Sequence, residues 1–395
     1  MAGLYIHLPF CKSRCIYCAF YSTTQHERMD DYVTALCKEM ELRNTPPSSL
    51  HTPPSTLHIP HSTLHTIYLG GGTPSQLPPA LLRRLFRNIY KVYEVATDAE
   101  ITMECNPDDI TPDYAQVIGE LPINRVSMGA QTFSDERLQF LHRRHSSQVR
   151  EAVDLLRQNG IQNISIDLMF GFPGETIQDW EQDIHDALAL DVEHLSAYSL
   201  MIEEGTELYR RYGDAGVREY ENSKEELERE MYETLIDQLT AAGFEHYEIS
   251  NFAKKGFRSR HNSSYWNDTP YIGIGAAAHS YCPPALHPKG LGKRSWNVAD
   301  IKAYIEGMQQ GKRLFEEETI DTDTHYNDMV TVALRTREGL DLSALSEKHR
   351  TYAIKNARRF INDGLLELTD NRLHLTRRGL FVSDMIMTEL IIPPR

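Results

Sequence analysis

The feature that most constrains the fold of this chain is an alternation of short apolar runs with amphipathic segments between Gly3 and about Asn251. The apolar runs read LYIHL, TIYLGG, EITMEC, RVSMGAQ, ISIDLMFG and HLSAYSL. Helix-like stretches lie between them at residues 79–93, 148–159 and 177–190. Strands that alternate with helical patterns predict βαβ units around a parallel sheet. The pattern fits a doubly wound sheet or a partial (β/α)6 TIM-like barrel, and the absence of G-x-G-x-x-G after the first run weakens a dinucleotide-binding interpretation.

The polar residues of this region cluster where the apolar runs end. They are the segment 70–74 and the side chains of Glu104, Gln131 and Asp167. In barrels the chemistry takes place where strands end and loops begin. We therefore expect these residues to surround a site at one end of the barrel.

Two segments depart from the βα pattern. Residues 48–66 read SSLHTPP, STLHIPH, STLHT, a seven-residue repeat whose prolines forbid a continuous helix. We expect a surface insert at residues 44–66, whose histidines could bind a metal, although a duplicated linker without a role is the simpler interpretation. From residue 312 the chain predicts two helices, LSALSEKH and TYAIKNARRFINDG, and then two strands joined by Asp370-Asn371. The expected domains are thus a core at 1–300 and a small helical, winged-helix-like domain at 312–395.

Composition limits the classes of function. The chain has 395 residues, is 41% hydrophobic and carries a formal net charge of −15, so it can bury a large core but would repel nucleic-acid backbones. No apolar run approaches the roughly 20 residues that span a bilayer. The sequence also starts without the charged and apolar regions of a secretory signal. We expect a cytoplasmic protein that has no transmembrane segment, binds no nucleic acid and keeps its thiols reduced.

Three of the six cysteines are crowded into CKSRCIYC, at Cys11, Cys15 and Cys18. A structural zinc ion would require four ligands, and no convincing fourth ligand is near. A thioredoxin-like pair at Cys15 and Cys18 would leave Cys11 unexplained. A [4Fe–4S] cluster with three thiolates would leave one iron open for a substrate or cofactor. The chemistry favours the cluster, and a zinc-stabilised scaffold without redox activity remains an alternative.

A glycine-rich turn, GGGTPS, follows the second apolar run. Glycines let the backbone approach a ligand closely, because no Cβ stands in the way. Such a turn is often only a turn, but its position after the cysteine loop favours a role in ligand binding.

CKSRCIYC after a first strand resembles the signature of the radical S-adenosylmethionine (SAM) superfamily. The resemblance implies a radical SAM barrel in which Cys11, Cys15 and Cys18 bind a [4Fe–4S] cluster. It further implies that the amino and carboxylate groups of SAM chelate the open iron, and that reduction cleaves SAM to a 5′-deoxyadenosyl radical.

The resemblance extends over nearly the whole chain. LYIHLPFC, GGGTPS, MECNPDDI, RVSMGAQTF, LHRRHS, SIDLMFGFPGET and YIGIGAAAHS occur in this order, and together they resemble the oxygen-independent coproporphyrinogen III oxidase-like family. One branch of that family decarboxylates two propionates to vinyl groups in porphyrin biosynthesis. The other branch consists of heme chaperones, which bind heme and pass it to recipient proteins.

Three features favour the chaperone branch. The oxidases carry an extra cysteine two residues after the third, where this chain has Phe20. They also have a long extension before the first strand, which here begins at Gly3. Finally, HNSSYW at residues 261–266 resembles the HNxxYW motif of the chaperones. The sequence therefore predicts a heme chaperone, with the oxidase as the alternative and with enzymatic activity left open.

The resemblance also implies roles for individual residues. Tyr5, Gly71 and Glu104 match positions that contact the cluster-bound SAM in the oxidases. A second SAM is contacted there by residues matching Tyr17, Gly72, Thr73, Gln131, Arg143 and Asp167. The sequence leaves open whether a chaperone would hold one or two SAM molecules.

The heme site is the least determined part of this prediction. His261 is a candidate ligand of the heme iron and Tyr265 a candidate heme contact, because aromatic faces suit a porphyrin. Alternatively, His261 only hydrogen-bonds a turn, and Tyr265 and Trp266 only pack. The recipient protein and the oligomeric state are not predicted. The remaining cysteines, at Cys37, Cys105 and Cys282, are expected to be buried apolar residues.

Overall fold

The computed structural model of the chain describes residues 2–44, 63–143, 148–287 and 290–393. Its centre is a set of six strands that lie side by side in chain order, each parallel to the next. They are β1 (Ala2–Leu8), β2 (Leu64–Gly71), β3 (Val95–Cys105), β4 (Arg125–Gln131), β5 (Asn163–Phe170) and β6 (His194–Ser199). This is the predicted partial (β/α)6 barrel, and all six predicted strands are present.

Helices connect these strands and cover them on the outside. They are α1 (Met29–Asn44), α2 (Pro79–Val92), α3 (Pro112–Glu120), α4 (Asp135–Phe140), α5 (Val149–Gln158), α6 (Ile177–Leu188) and α7 (Glu207–Ala241). In α2 the buried residues Leu82, Leu85, Phe86 and Ile89 follow helical spacing and face the sheet. The strands are buried on both faces, as a parallel sheet covered by helices requires.

Six further strands, which the sequence did not predict, extend the sheet at both ends. Beyond β6 lie β7 (Glu245–Glu248) and β8 (Asn251–Ala253), and beside β1 lie β9 (Tyr271–Ile274), β10 (His279–Cys282), β11 (Gly292–Asn297) and β12 (Phe315–Ile320). The helices α8 (Arg260–Tyr265) and α9 (Ile301–Gln309) accompany them. The resulting sheet has 12 strands, and β9 is parallel to β1 whereas β10, β11 and β12 are antiparallel to their neighbours.

The C-terminal part forms a small module with its own apolar core. Its elements are α10 (Thr322–Ala333), β13 (Leu340–Asp341), α11 (Glu347–Asn362), β14 (Leu366–Thr369), β15 (Arg372–Leu375), α12 (Arg377–Leu380) and α13 (Ser383–Leu390). The predicted hairpin is present, and Asp370 and Asn371 at its turn both have positive φ, 51° and 62°. Residues of this kind favour the turn that suits the twist of a tight hairpin.

Two predictions about this module were wrong in detail. LSALSEKH does not form a helix of its own, because a short 3-10 turn at Leu342–Ala344 is followed by the single helix α11. The predicted boundary at residue 312 also falls too early, since β12 still pairs with β11 in the large sheet. The module therefore begins with α10.

Most of the predicted insert, including His51 and His58, lies outside the described residues. Its last residues belong instead to β2, which begins at Leu64, a fully buried residue of the main core. Across the described ranges, we find no helix that combines the length and the apolar character needed to cross a membrane.

Candidate functional site

The cysteine loop follows β1 directly and is tied to its surroundings by backbone hydrogen bonds. Cys11 N–H donates to Thr23 O at 2.9 Å, and Thr23 N–H donates to Pro9 O at 2.7 Å. On the other side of the loop, Thr73 N–H donates to Phe10 O at 2.8 Å. The loop that carries the thiols is therefore held against the glycine-rich turn after β2.

A cavity of about 260 Å³ opens at this end of the barrel and brings the predicted residues together. Its walls include all three thiols of the loop and every residue that the resemblance assigned to SAM: Cys11, Cys15, Cys18, Tyr5, Tyr17, Gly71, Gly72, Thr73, Glu104, Gln131, Arg143 and Asp167. These residues come from the ends of five adjacent strands and their loops, because parallel strands end at the same edge of the sheet. Their roles toward a ligand stay predictions.

Glu104, at the end of β3, is held by two donors. The Tyr68 hydroxyl donates to Glu104 Oε1 at 2.8 Å, and Gly71 N–H donates to Oε2 at 3.1 Å. Burial nevertheless raises the pKa of Glu104 to about 7. Burial also raises the pKa of Asp167, the neighbouring carboxyl on β5. Both carboxyls would gain from a ligand that supplies hydroxyl, amino or other donor groups.

Arg143 brings a guanidinium to the cavity wall. Its Nη1 donates to Asn106 Oδ1 at 2.9 Å and its Nη2 to Gly129 O at 3.1 Å. Its Nε is buried and has no partner among the described residues. An orphaned buried donor on the wall fits a ligand that presents a carboxylate. Residues 144–147, which complete the LHRRHS motif, lie outside the described part of the chain.

The backbone around the cavity leaves no room for added side chains. A Cβ on Gly72 would lie 2.6 Å from the carbonyl carbon of Pro9, and one on Gly129 would lie 2.6 Å from Arg143 Nη2. Gly71 has a φ of 111°. Gln131 adopts a φ of 71°, a conformation that a non-glycine residue keeps only where its surroundings impose it.

His7 positions Tyr5 from inside the barrel. His7 Nε2 lies 2.9 Å from Tyr21 O and must donate to it, so Nδ1 is the acceptor for the Tyr5 hydroxyl at 3.0 Å. Burial lowers the pKa of His7 to about 4, which keeps the ring neutral. The sequence analysis did not assign His7 a role.

The three thiols have the chemistry that a cluster requires. Burial raises the pKa of Cys11 and Cys18, so both are protonated at neutral pH until a metal displaces the proton. Thr73 Oγ1 donates to Cys11 Sγ at 3.6 Å. Within the part of the chain that the structure describes, no three His, Cys, Asp or Glu side chains converge on one metal ion.

One charged residue near the cavity was missed by the sequence analysis. Arg125, at the start of β4, is only 1% exposed, and its Nε and Nη1 have no partner among the described residues. Its charge lowers the pKa of Glu104 and Asp167, against the larger effect of their burial. The sequence feature that could have revealed Arg125 is its place as a charged residue at the start of a mostly apolar strand.

The structure places His261, the candidate heme ligand, inside the fold. His261 is fully buried, Nδ1 lies 2.9 Å from Thr66 Oγ1, and Nε2 lies 2.9 Å from the Tyr265 hydroxyl. Both ring nitrogens therefore have partners, and burial lowers the pKa of the ring to about 3. Tyr265 lies on the wall of a different cavity, on the module side of the barrel. Cys105 and Cys282 are buried as predicted, whereas Cys37 is only partly buried.

Comparisons with known proteins agree with this arrangement. The family model of the radical SAM superfamily matches residues 5–187, and that of the HemN C-terminal domain matches residues 320–382. The chain is 33% identical to the heme chaperone HemW of Bacillus subtilis, covering 98% of each chain. It is 30% identical to the heme chaperone HemW of Lactococcus lactis, covering 98% of this chain and 97% of that protein.

A solved structure shares the fold. Coproporphyrinogen III oxidase (HemN) from Escherichia coli, described as a radical SAM enzyme, matches with a TM-score of 0.79 and 22% identity. The match covers 99% of this chain and 90% of that chain. At this identity the likeness establishes the shared architecture of barrel and C-terminal module.

Proposed function

This chain belongs to the radical SAM superfamily and, within it, to the family of the HemW proteins, and on that premise we propose that it is a heme chaperone. It binds heme and delivers it to recipient proteins. The observation that carries the proposal is the 33% identity to a HemW protein over 98% of both chains. A match of that extent includes the cysteine loop, the HNSSYW segment and the C-terminal module together.

A [4Fe–4S] cluster and SAM are the cofactors of this superfamily, and the residues of the first cavity fit them. Cys11, Cys15 and Cys18 would hold the cluster, and the cluster with SAM would supply redox chemistry at this end of the barrel. Glu104 accepts hydrogen bonds from ribose hydroxyls, and the free Nε of Arg143 offers a donor to a carboxylate. Gly71 and Gly72 carry no Cβ, which lets the turn pack directly against the His7 ring and the Pro9 backbone at the cavity wall.

We propose that SAM binding or the state of the cluster in this cavity controls heme transfer. Radical chemistry is then absent or vestigial. Phe20, at the position of the extra oxidase cysteine, is 72% exposed beside the cluster loop. An exposed phenyl ring cannot supply the thiol that the oxidases carry there. We further propose that the protein acts in the cytoplasm, where its thiols stay reduced, and that it passes heme to recipient proteins there.

The test compares the two activities of the wider family on one preparation. The chain, reconstituted with iron and sulfide under anaerobic conditions, is first titrated with hemin and then mixed with apomyoglobin as a generic acceptor. We expect stoichiometric heme binding and transfer of heme to the acceptor. The same preparation is incubated with coproporphyrinogen III, SAM and a reductant. Formation of protoporphyrinogen at an enzymatic rate would overturn the chaperone proposal in favour of an oxidase.

A further inference from the structure

A second and larger cavity, of about 690 Å³, lies between the barrel and the C-terminal module. This volume is within the range of roughly 300–1,000 Å³ that holds most small-molecule and cofactor ligands. The barrel contributes the HNSSYW segment, β9 and β10 to its wall, and the module contributes α10 and the residues around β13. Neither the cysteines nor the predicted SAM residues reach it.

The barrel side of this cavity is aromatic. Its aromatic side chains include Tyr265, Trp266, Tyr271 and Tyr281, and the polar side chains of Asn267 and Asp268 lie on the same side. The rings of Tyr265 and Tyr271 meet edge to face, with centroids 4.8 Å apart, and those of Tyr271 and Tyr281 lie 6.1 Å apart. Four aromatic rings on one wall offer an apolar surface of the kind that a large flat ligand covers.

The module side is mostly aliphatic. Met329, Val332 and Ala333 of α10 face the aromatic wall, together with Leu340 and Ala344. The indole Nε1 of Trp266 is buried and has no hydrogen-bond partner among the described residues. The cavity is thus apolar on two sides and retains a donor that the protein itself leaves unused.

Charged groups complete the wall and connect its two sides. Arg258 and Arg294 of the barrel pair with Glu338 and Asp328 of the module, at 2.6 and 2.8 Å. Each also pairs with a second carboxylate, that of Glu245 and Glu318 respectively, which stays in place if the first is exchanged. These pairs are accessible to water, so each contributes little stability, and a ligand carboxylate can replace the protein carboxylate at modest cost. Arginine is well suited to accept such an exchange, because its planar fork binds carboxylates through two hydrogen bonds.

Ligation of a heme iron from this wall does not need His261. Met329 supplies a thioether and Tyr271 a phenol oxygen, whereas the hydroxyls of Tyr265 and Tyr281 are hydrogen-bonded to His261 and Asp268. Thioether and phenolate groups both serve as axial ligands of heme iron in proteins. His261 lies behind the wall, where the Tyr265 hydroxyl occupies its Nε2.

We propose that heme binds in this cavity, with its ring between the aromatic wall and α10 and its propionates toward Arg258 and Arg294. The proposal rests on the function proposed above and gives it a location. Tyr271 pairs with Gly3 at the start of β1, whereas the cysteine loop follows the end of the same strand. The proposed heme site and the cysteine loop therefore lie at opposite ends of β1. The backbone positions of Gly3 and Leu8 are roughly 17 Å apart along this strand, at about 3.3 Å per residue. Heme transfer then takes place away from the cluster, at the joint between barrel and module.

The test uses two variants in which a larger side chain, at an exposed position on the wall, reduces the volume of the cavity. Thr331→Trp and Ala344→Trp each add an indole at a side chain that is exposed, so neither disturbs a packed core. Thr388→Trp is the matched control, since Thr388 is exposed on α13 of the same module and is not part of the cavity. The full-length chain with its reconstituted cluster is titrated with hemin, and binding is followed through the Soret band. The visible absorption of the cluster, which lies in the other cavity, shows in each sample that the barrel is folded.

We expect both cavity variants to bind hemin at least tenfold more weakly than wild type, and the control to match wild type. The same two variants should also bind metal-free protoporphyrin IX more weakly than wild type does, because the cavity contacts the macrocycle and not only the iron. Equal hemin affinity in all four proteins would overturn the proposed location and leave the chaperone function intact. A wild-type chain that binds no hemin would overturn both the location and the function.

Discussion

His261 Nε2 lies 2.9 Å from the hydroxyl of Tyr265, so the histidine and the tyrosine of HNSSYW are bound to each other inside the fold. On its other side the imidazole bonds Thr66 and stacks on Tyr68, whose ring centroid is 5.0 Å away. Tyr68 in turn donates to Glu104 in the cysteine-loop cavity. The segment that resembles a chaperone motif therefore connects the two cavities through buried contacts, and its histidine supports both walls.

His261→Ala should weaken the fold without removing a heme ligand. The change leaves a cavity and removes the partners of Thr66 Oγ1 and the Tyr265 hydroxyl, at a cost of about 2–4 kcal/mol in the free energy of unfolding. Urea unfolding of the cluster-free chain measures that cost. The Soret maximum and the heme stoichiometry should stay as in wild type, with Asn262→Ala as a control from the same motif. A spectrum that changes to that of a different iron ligand would identify His261 as the ligand after all.

Cys11→Ala, Cys15→Ala and Cys18→Ala should each abolish the visible absorption of the reconstituted protein. Each substitution removes one of the thiolates of the loop that would hold a three-cysteine cluster, and the other thiol on the cavity wall, Cys105, lies on β3 outside that loop. Cys37→Ala on α1 is the control, because this partly buried thiol lies away from the cavity and should not affect the colour. Iron and sulfide analysis should give about four of each per wild-type chain. Colourless protein with one zinc ion per chain would instead support a zinc-stabilised scaffold.

The barrel and the residues around the cysteine-loop cavity could be predicted from the sequence, because both depend on local sequence patterns. Six apolar runs with helical segments between them gave the parallel strands, and polar residues at the ends of the runs, such as Glu104 and Gln131, meet because those ends share one edge. The family resemblance added the individual SAM residues. The structure shows that these residues line one cavity.

The parts that could not be predicted depend on contacts between distant segments. The strands β7–β12 are short or pair antiparallel across loops, so no periodic signal marks them. The burial of His261 follows from Thr66, which is 195 residues away in sequence. The large cavity likewise exists only where α10 meets HNSSYW, and the sequence pattern of neither segment indicates a void.

Arg335→Met should loosen the module from the barrel. Arg335 donates to Glu248 Oε1 at 3.0 and 3.1 Å, and Glu248 is a barrel carboxylate that is 2% exposed. Loss of the guanidinium leaves that charge buried with only neutral donors, which costs about 2–4 kcal/mol. Thermal or urea unfolding measures the loss. The double variant Arg335→Met with Glu248→Gln should recover most of it, and additive losses in the two variants would contradict the pairing.

Glu104 should make the stability of the cluster-free chain depend on pH between about 4 and 7. Its pKa is about 7 in the folded chain because of burial, against roughly 4.3 for a free glutamate. In this window Glu104 holds a proton in the folded chain that it has lost in the unfolded chain, so its contribution to stability falls as pH rises, by up to ~1.4 kcal/mol per pH unit. Glu104→Gln removes the contribution of Glu104 to this dependence and should stabilise the chain by about 2 kcal/mol at pH 8, as measured by urea unfolding at several pH values.

The matched control for Glu104 is Glu175, whose pKa burial also raises to about 7 and which lies outside the cysteine-loop cavity. Glu175→Gln should flatten the pH dependence of stability to a similar degree. Only Glu104→Gln should also weaken SAM binding to the reconstituted protein, because only Glu104 faces the proposed ribose position. Equilibrium dialysis with labelled SAM measures that difference. Equal SAM affinity in the two variants would remove Glu104 from the SAM site while leaving its effect on stability in place.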